Sequence, residues 1–407
     1  MNPTTLHGCW VNFFITVEKQ KTYTLQFWLL CFSSYLFFAS FNMIIPELPG
    51  YLTRLGGEEY KGLIISLFTL TAGLSRPFSG KLTDKVGRIP VMVFGSGVCF
   101  IIGFLYPMIS SITGFFLLRL FHGFSTGFKP TGTVAYIADI VPANRRGEAM
   151  GYSGVFGTIG MASGPALGGQ IAISYSLDAM FYTSSAFAIL SVLILIGMKE
   201  TLPKPERFSL EHVKIKRNEI FDPSAIPPSI VMLLTLFPFG VILTVMPDYS
   251  EYMGLENKGI IFTVFTLTSL CMRVFAGRAS DRYGREKILL AAAVLNATSM
   301  LIIGFSTSVA MLVVGSVFYG AGVGMNSPTL FAWTTDLSDE KTRGRAFATV
   351  FIALELGIMA GALFSGWIYD NNAENFPVTF VSGAFLTIVA IIYLVGRIRK
   401  KRLMMAK

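Results

Sequence analysis

Five side chains able to carry charge or donate hydrogen bonds, Arg119, His122, Thr126, Lys129 and Thr133, recur at i, i+3, i+7, i+10 and i+14 within one largely apolar stretch. That spacing puts them on a single face of a helix. Ionisable groups are costly at membrane depth, so each is a candidate for function. A face with two permanent cations and a histidine should line a wet central cavity, with Lys129 about 15 Å deeper than Arg119. Two acids join the set: Glu47, near the end of the first apolar stretch, and Glu355, in the middle of the eleventh. Such groups can hold a proton, hand it on and contact a polar solute. Glu355 is expected either to carry a proton or contact a cation, or to be a static partner for Lys129 or another base. His122 either titrates near neutral pH or serves as a hydrogen-bonded lining residue. The chain lacks a Gly-x-x-x-x-Gly-Lys-Ser/Thr segment and a hydrolytic constellation, so no enzyme is expected. Its four cysteines, Cys9, Cys31, Cys99 and Cys271, match neither a metal knuckle nor a disulfide framework. No cofactor and no metal site are expected.

The elements that must position these residues are membrane spans. Of 407 residues, 53% are apolar and only 14% charged, against about 25% charged in soluble domains. Stretches long enough to cross about 30 Å of hydrocarbon fall near 26–48, 60–80, 89–109, 112–137, 147–171 and 178–198. Six more fall near 225–247, 257–277, 287–306, 309–333, 344–368 and 376–396. The fold class expected is an all-α polytopic membrane protein of two six-helix bundles, 26–198 and 225–396. An arm (1–25), a linker (199–224) and a basic tail (397–407) complete the chain. The arm, with Trp10, Phe13 and Phe14, reads as interfacial or irregular, without a cleavable leader. Within the linker a short surface helix is expected at 209–219, either as a solvated tether or touching anionic headgroups.

The formal charge of +9 is distributed by topology. Of 33 Lys and Arg, 26 fall in the termini and alternate loops, and only Arg54, Lys61 and Lys258 fall in the loops between. This positive-inside pattern puts both termini in the cytoplasm and needs no nucleic-acid partner.

One pattern is written twice, 197 residues apart: Arg76-Pro-Phe-Ser-Gly80-Lys-Leu-Thr-Asp84-Lys-Val-Gly87-Arg88 and Arg273-Val-Phe-Ala-Gly277-Arg-Ala-Ser-Asp281-Arg-Tyr-Gly284-Arg285. The offset also relates Gly62 to Gly259, Asp139 to Asp336 and Gly160 to Gly357, so the halves are homologous and parallel. Gly80, Asp84, Gly87, Arg88 and Asp139, with Gly277, Asp281, Gly284 and Arg285, are expected to form latches that pair across the halves in one conformation and part in another. Arg76 and Arg273 are expected to be structural, snorkelling or joining the latch. The offset fails informatively at two buried sites, where Lys129 is matched by Asn326 and Glu355 by Thr158. Scaffolding alone requires neither charge, so substrate or coupling chemistry is expected there, with Asn326 in the cavity wall.

These loops resemble those of the major facilitator superfamily, and in particular its twelve-span drug/proton antiporter branch. Gly80-x-x-x-Asp84-x-x-Gly87-Arg88 is similar to the signature between helices 2 and 3, and Asp139 to the helix 4 acid that meets it. Arg119-x-x-His122-Gly123 resembles the helix 4 signature, with His122 where glutamine is usual. Gly160-x-x-x-Gly164-Pro165-x-x-Gly168-Gly169 resembles the helix 5 antiporter signature, and Met43-Ile-Ile-Pro46-Glu47-Leu-Pro49 a helix 1 motif. The resemblance implies proton-coupled efflux of a small organic molecule, such as a drug or metabolite, by alternating access. Helix 5 would then belong to the moving surface between the halves, and Glu47 would either meet Arg119 as a proton-sensitive pair or sit solvated in the outer interface. Proton-coupled symport or uniport of a sugar or organic anion stays open, and so does a non-transporting receptor. The cationic face of helix 4 suits an anionic substrate unless Glu47 and Glu355 neutralise it. The expected partners are protons, substrate and membrane lipids, and the expected location is the bacterial inner membrane, as a functional monomer.

Overall fold

The computed structural model describes residues 23–142, 145–209, 212, 214, 221–339 and 343–405. The arm with Trp10, Phe13 and Phe14, and most of the linker helix expected at 209–219, lie outside the described residues. The first half contains α1 (Leu25–Ile44), α2 (Lys61–Lys85), α3 (Arg88–Leu105), α4 (Ile112–Ile140), α5 (Arg146–Ser174) and α6 (Leu177–Ile196). The second contains α7 (Ile226–Tyr252), α8 (Gly259–Tyr283), α9 (Arg285–Gly304), α10 (Val309–Leu337), α11 (Arg343–Tyr369) and α12 (Phe376–Met405). The first span runs further than expected. Pro46 and Pro49 lack amide hydrogens, so α1 tightens into a 3-10 turn (Ile45–Glu47) and resumes as Leu48–Arg54.

Packing follows the repeat. α1 packs on α5 as α7 packs on α11, α2 on α4 as α8 on α10, and α3 on α6 as α9 on α12. The halves join through α2 with α11 and α5 with α8, two contacts that the offset exchanges. Among the described residues, nine helices are long and apolar enough to cross a membrane on composition alone, and α2, α4 and α5 are not among them. Those three, of 25, 29 and 29 residues, exceed the roughly 20 needed and devote their glycines and polar groups to helix–helix contact. Small polar side chains join α1, α3 and α6 in the same way, with Ser33 2.8 Å from Ser191 and Ser40 3.1 Å from Ser184.

The Tyr136 hydroxyl bonds both Gln26 and the Lys199 carbonyl. The start of α1, the end of α4 and the residues after α6 therefore share one face, the linker face; its opposite is the far face. At the far face the halves touch backbone to backbone. A Cβ on Gly62 would lie 2.7 Å from the Ala362 carbonyl, and Gly259 rests on the Pro165 carbonyl. Asn257 Nδ2 donates to Ala166 O at 3.0 Å and Thr263 Oγ1 to Ala162 O at 2.5 Å. Toward the linker face this contact ends, because a Cβ on Gly80 or Gly277 would meet no atom within 4 Å. The molecule is closed at its far face and parted at its linker face.

Candidate functional site

Midway along the α2–α11 contact an ion pair joins the two halves. Arg76 donates from Nε at 3.2 Å and from Nη2 at 2.7 Å to the same Glu355 oxygen, Oε1. Its guanidinium lies 4.8 Å from the centre of the Phe351 ring. The Glu355 side chain is 9% exposed and that of Arg76 22%. Gly73, one turn before Arg76, makes room, since a Cβ there would come within 3.2 Å of Glu355 Cβ. Glu355 also borders a mostly apolar cleft of about 460 Å³ between the two helices, with Leu70, Leu74, Phe78 and Leu356. Its partner is therefore Arg76, not Lys129.

The polar face of α4 turns into its own bundle instead of toward an open cavity. Arg119, His122, Lys129 and Asn326 are each no more than 1% exposed. Arg119 Nε donates to Ile64 O at 2.8 Å, and its Nη1 lies 3.4 Å from the Tyr106 hydroxyl and 3.5 Å from His122 Nδ1. The ring of Phe68 covers the guanidinium at 4.9 Å, while Nη2 has no hydrogen-bond partner among the described residues. Lys129 Nζ donates to Ser34 Oγ at 3.3 Å and Thr133 Oγ1 at 3.2 Å. The half-buried Thr126 bonds back to Gly123 O in its own helix. Asn326 donates to Thr235 Oγ1 at 2.7 Å. Hydroxyls, a carbonyl and an aromatic face from α1, α2, α4 and the turn after α3 thus solvate these cations, and among the described residues neither Arg119 nor Lys129 has a carboxylate partner.

Glu47 does not reach Arg119. It lies at the far face, in a cavity of about 490 Å³ that it lines with Arg54, Lys61, Asp248, Glu251 and Lys258. There Lys61 of the first half pairs with Asp248 of the second, and Lys258 with Glu251 at 2.6 Å. Lys61 and Lys258 are repeat mates.

At the linker face, Arg88 Nε donates to Asp139 Oδ2 at 2.9 Å and lies 3.5 Å from Asp84. Arg285 reproduces this with Asp336 at 2.9 Å and with Asp281. Gly87 and Gly284 turn the chain into α3 and α9 with φ of 134° and 94°, a region that penalises any side chain. Both sets bond within their own half, because the halves are parted at this end. On α5, Gly160, Gly164 and Gly168 press against α1 of the same half, and Gly169 against Asn257 of the other. Most of that stripe is intra-bundle packing.

The Major Facilitator Superfamily family model matches residues 28–258 and 228–403. The chain belongs to the Major Facilitator Superfamily. It is 27% identical over 392 residues to "Multidrug resistance protein MdtG" of Escherichia fergusonii, covering 92% of this chain and 94% of that one. It is 26% identical over 386 residues, with the same coverage, to "Multi-drug resistance efflux pump PmrA homolog" of Lactococcus lactis. Its fold is shared with the human organic anion transporter MFSD10 (TETRAN), at a TM-score of 0.68 and 20% identity, covering 90% of this chain and 98% of that one. The nucleoside transporter NupG superposes with a TM-score of 0.73 at 14% identity, covering 91% and 99%.

As a Major Facilitator Superfamily member the chain is a multi-span transporter of small molecules and not an enzyme. Three residues stand out that motif inspection did not select for the site: Arg76, Lys61 and Asp248. For Arg76 a signal existed. Gly62, Gly73, Arg76 and Gly80 share the α2 face turned to the other half, and the offset aligns Arg76 with Arg273 just as it aligns Glu355 with Thr158. The α2–α11 contact therefore gains an acid that the α8–α5 contact lacks.

Proposed function

We propose that this transporter exports a small organic molecule from the bacterial cytoplasm in exchange for inward-moving protons. The multidrug names of its relatives support export, and the basic loops support a cytoplasmic linker face, making the present conformation inward-open. One observation carries the coupling: Glu355, a buried acid with no repeat counterpart, is paired across the halves with Arg76. A proton on Glu355 weakens the pair, frees Arg76 and lets α2 and α11 rearrange. Deprotonation toward the cytoplasm restores it. Substrate binding and proton loading thereby compete for one inter-half contact, which is what exchange by alternating access requires. Arg119, His122 and Lys129 keep the first bundle polar beside this pathway. The loops around Arg88 and Arg285 hold the ends of α3 and α9 in place while the halves are parted. A second acid serves entry from outside: Glu47, with Asp248 and Glu251, lines the far-face cavity where a proton would first arrive. One chain supplies both halves of the path, so the monomer is the working unit.

The test is flux in liposomes holding a pH dye, with imposed gradients and a pool of cationic, neutral and anionic drugs and metabolites. Substrate-driven proton movement opposite to substrate, lost in Glu355→Gln and slowed but not lost in Glu47→Gln, supports the assignment. Proton movement with the substrate means symport, and substrate flux without protons means uniport. Binding without flux would mean a receptor.

A further inference from the structure

At the linker face of the second half lies a cavity of about 490 Å³ whose walls include Tyr283, Arg285, Lys287, Trp333, Lys401 and Arg402. Two acids also line it, Glu286 and Asp336, and both are already matched. Asp336 accepts from Arg285 at 2.9 Å, and Glu286 from Arg397 at 3.1 Å. Lys287, Lys401 and Arg402 have no ion pair among the described residues. Among the described residues, the cavity lining therefore holds more bases than acids, with Lys287, Lys401 and Arg402 unmatched.

The other half shows what such a space accommodates. Shifted back by 197, Trp333, Asp336 and Arg285 become Tyr136, Asp139 and Arg88. There the residues following α6 fold into the space and deliver a carboxylate. Glu200 accepts from the backbone N–H of Arg88 at 3.1 Å and of Ile89 at 2.9 Å, at the start of α3. Thr201 Oγ1 donates to Asp139 at 2.6 Å, and Lys199 O accepts from Tyr136 at 2.8 Å. In the second half the residue matching Glu200 is Arg397, α12 continues as helix to Met405, and among the described residues no carboxylate is seen on the first N–H groups of α9 as Glu200 is on those of α3. The same architecture has an anion in one half and an open basic cavity in the other.

We propose that this cavity binds the headgroup of an anionic phospholipid, its phosphate answering Lys287, Lys401 and Arg402 and the α9 terminus as Glu200 answers α3. The depth fits. α12 has 30 residues, about 45 Å of helix against about 30 Å of hydrocarbon, so its basic end stands at headgroup level. Exposed Tyr283 and Leu337 in the cavity wall provide an apolar rim for acyl chains. Basic pockets between spans at this level suit acidic lipid headgroups.

The experiment is native mass spectrometry of the full chain titrated with phosphatidylglycerol, with phosphatidylcholine and inorganic phosphate as separate arms. The variant Lys401→Gln/Arg402→Gln is compared with Arg399→Gln/Lys400→Gln, which removes the same charge from the same helix end without touching the cavity. Both changes lie beyond the membrane span, and monodispersity checks their folding. The expected result is selective phosphatidylglycerol retention, weakened roughly thirtyfold in the cavity variant, at about fivefold per base, and little changed in the control. Equal loss in both variants, or none in either, would overturn the site. Inorganic phosphate binding as tightly as the lipid would overturn the lipid as its source.

Discussion

Glu355→Gln leaves Arg76 facing a neutral amide, and the cost can be worked from the geometry. Removing one partner of a fully buried pair costs about 3–5 kcal/mol. Arg76 is about a fifth exposed and keeps the Phe351 ring, a contact of about 0.5–2 kcal/mol. The expected loss is therefore about 1.5–3 kcal/mol, or ~10–100-fold in an equilibrium constant. Arg76→Gln strands the more deeply buried carboxylate and should cost at least as much. In the double variant neither charge is stranded, so its loss should fall short of the sum of the single losses by about 1–2 kcal/mol. Equilibrium unfolding in mixed micelles, followed by tryptophan fluorescence, measures all four proteins. Lys129→Gln crossed with Glu355→Gln is the control and should be additive. Additivity of Arg76→Gln and Glu355→Gln within about 0.5 kcal/mol would refute the pair as an energetic link between the halves.

Three further outcomes are expected. Gly87→Ala should destabilise by about 1–3 kcal/mol through its backbone angle, and by more than Gly284→Ala, because its Cβ would stand 2.7 Å from Glu200 Oε2; thermal melts of the two variants compare them. Gly62→Val should wedge the far face open, raising the labelling of a cysteine introduced at the buried Ser66 of the same seam and blocking exchange, whereas Gly80→Val, in open space, should be close to parent in this conformation. Hydrogen bonds from Lys85 and then His212 hold the exposed Glu206 carboxyl below its ordinary value of 4.5. A depressed carboxyl supports docking of the linker fully above 4.5 and loses that support as pH falls through its lower folded value. The protection of the Glu206 amide, taken relative to the intrinsic exchange rate at each pH, should fall across that acid window in the parent and stay level with pH in Glu206→Gln.

What the sequence showed most clearly was what repetition and periodicity govern. The constant offset foretold two bundles and the matched turns at Gly87 and Gly284, while apolar length placed the twelve helices. It was less informative where partners come from distant helices. Arg119, His122 and Lys129 share a face as their spacing requires, but spacing says nothing of what that face meets. The face meets Ile64 O, Tyr106, Ser34 and Cys99 within one bundle. Glu47, on the proline-bearing turn at Ile45–Glu47, lines the far-face cavity with Lys61, Asp248 and Lys258 while Arg119 is buried within the first bundle, and spacing along the chain shows neither set of neighbours. Glu355 was legible as a broken symmetry; the signal for its partner, a place on the glycine-bearing face of α2, is masked because Arg76 is duplicated and duplication reads as scaffolding.

The residues after α6 are tied to the first half at several points. Glu200 is at the start of α3, Thr201 on Asp139, and Glu206 on both the backbone and the side chain of Lys85. These contacts make them part of the first half, so the boundary between the bundles falls beyond Glu206, not at the last turn of α6. The two homologous bundles are consequently not interchangeable parts. The first closes its basal joint with a strand of its own making, while the second leaves the equivalent joint to its surroundings. A gene fusion of two first halves, or of two second halves, would double one solution and omit the other, however well the helices matched.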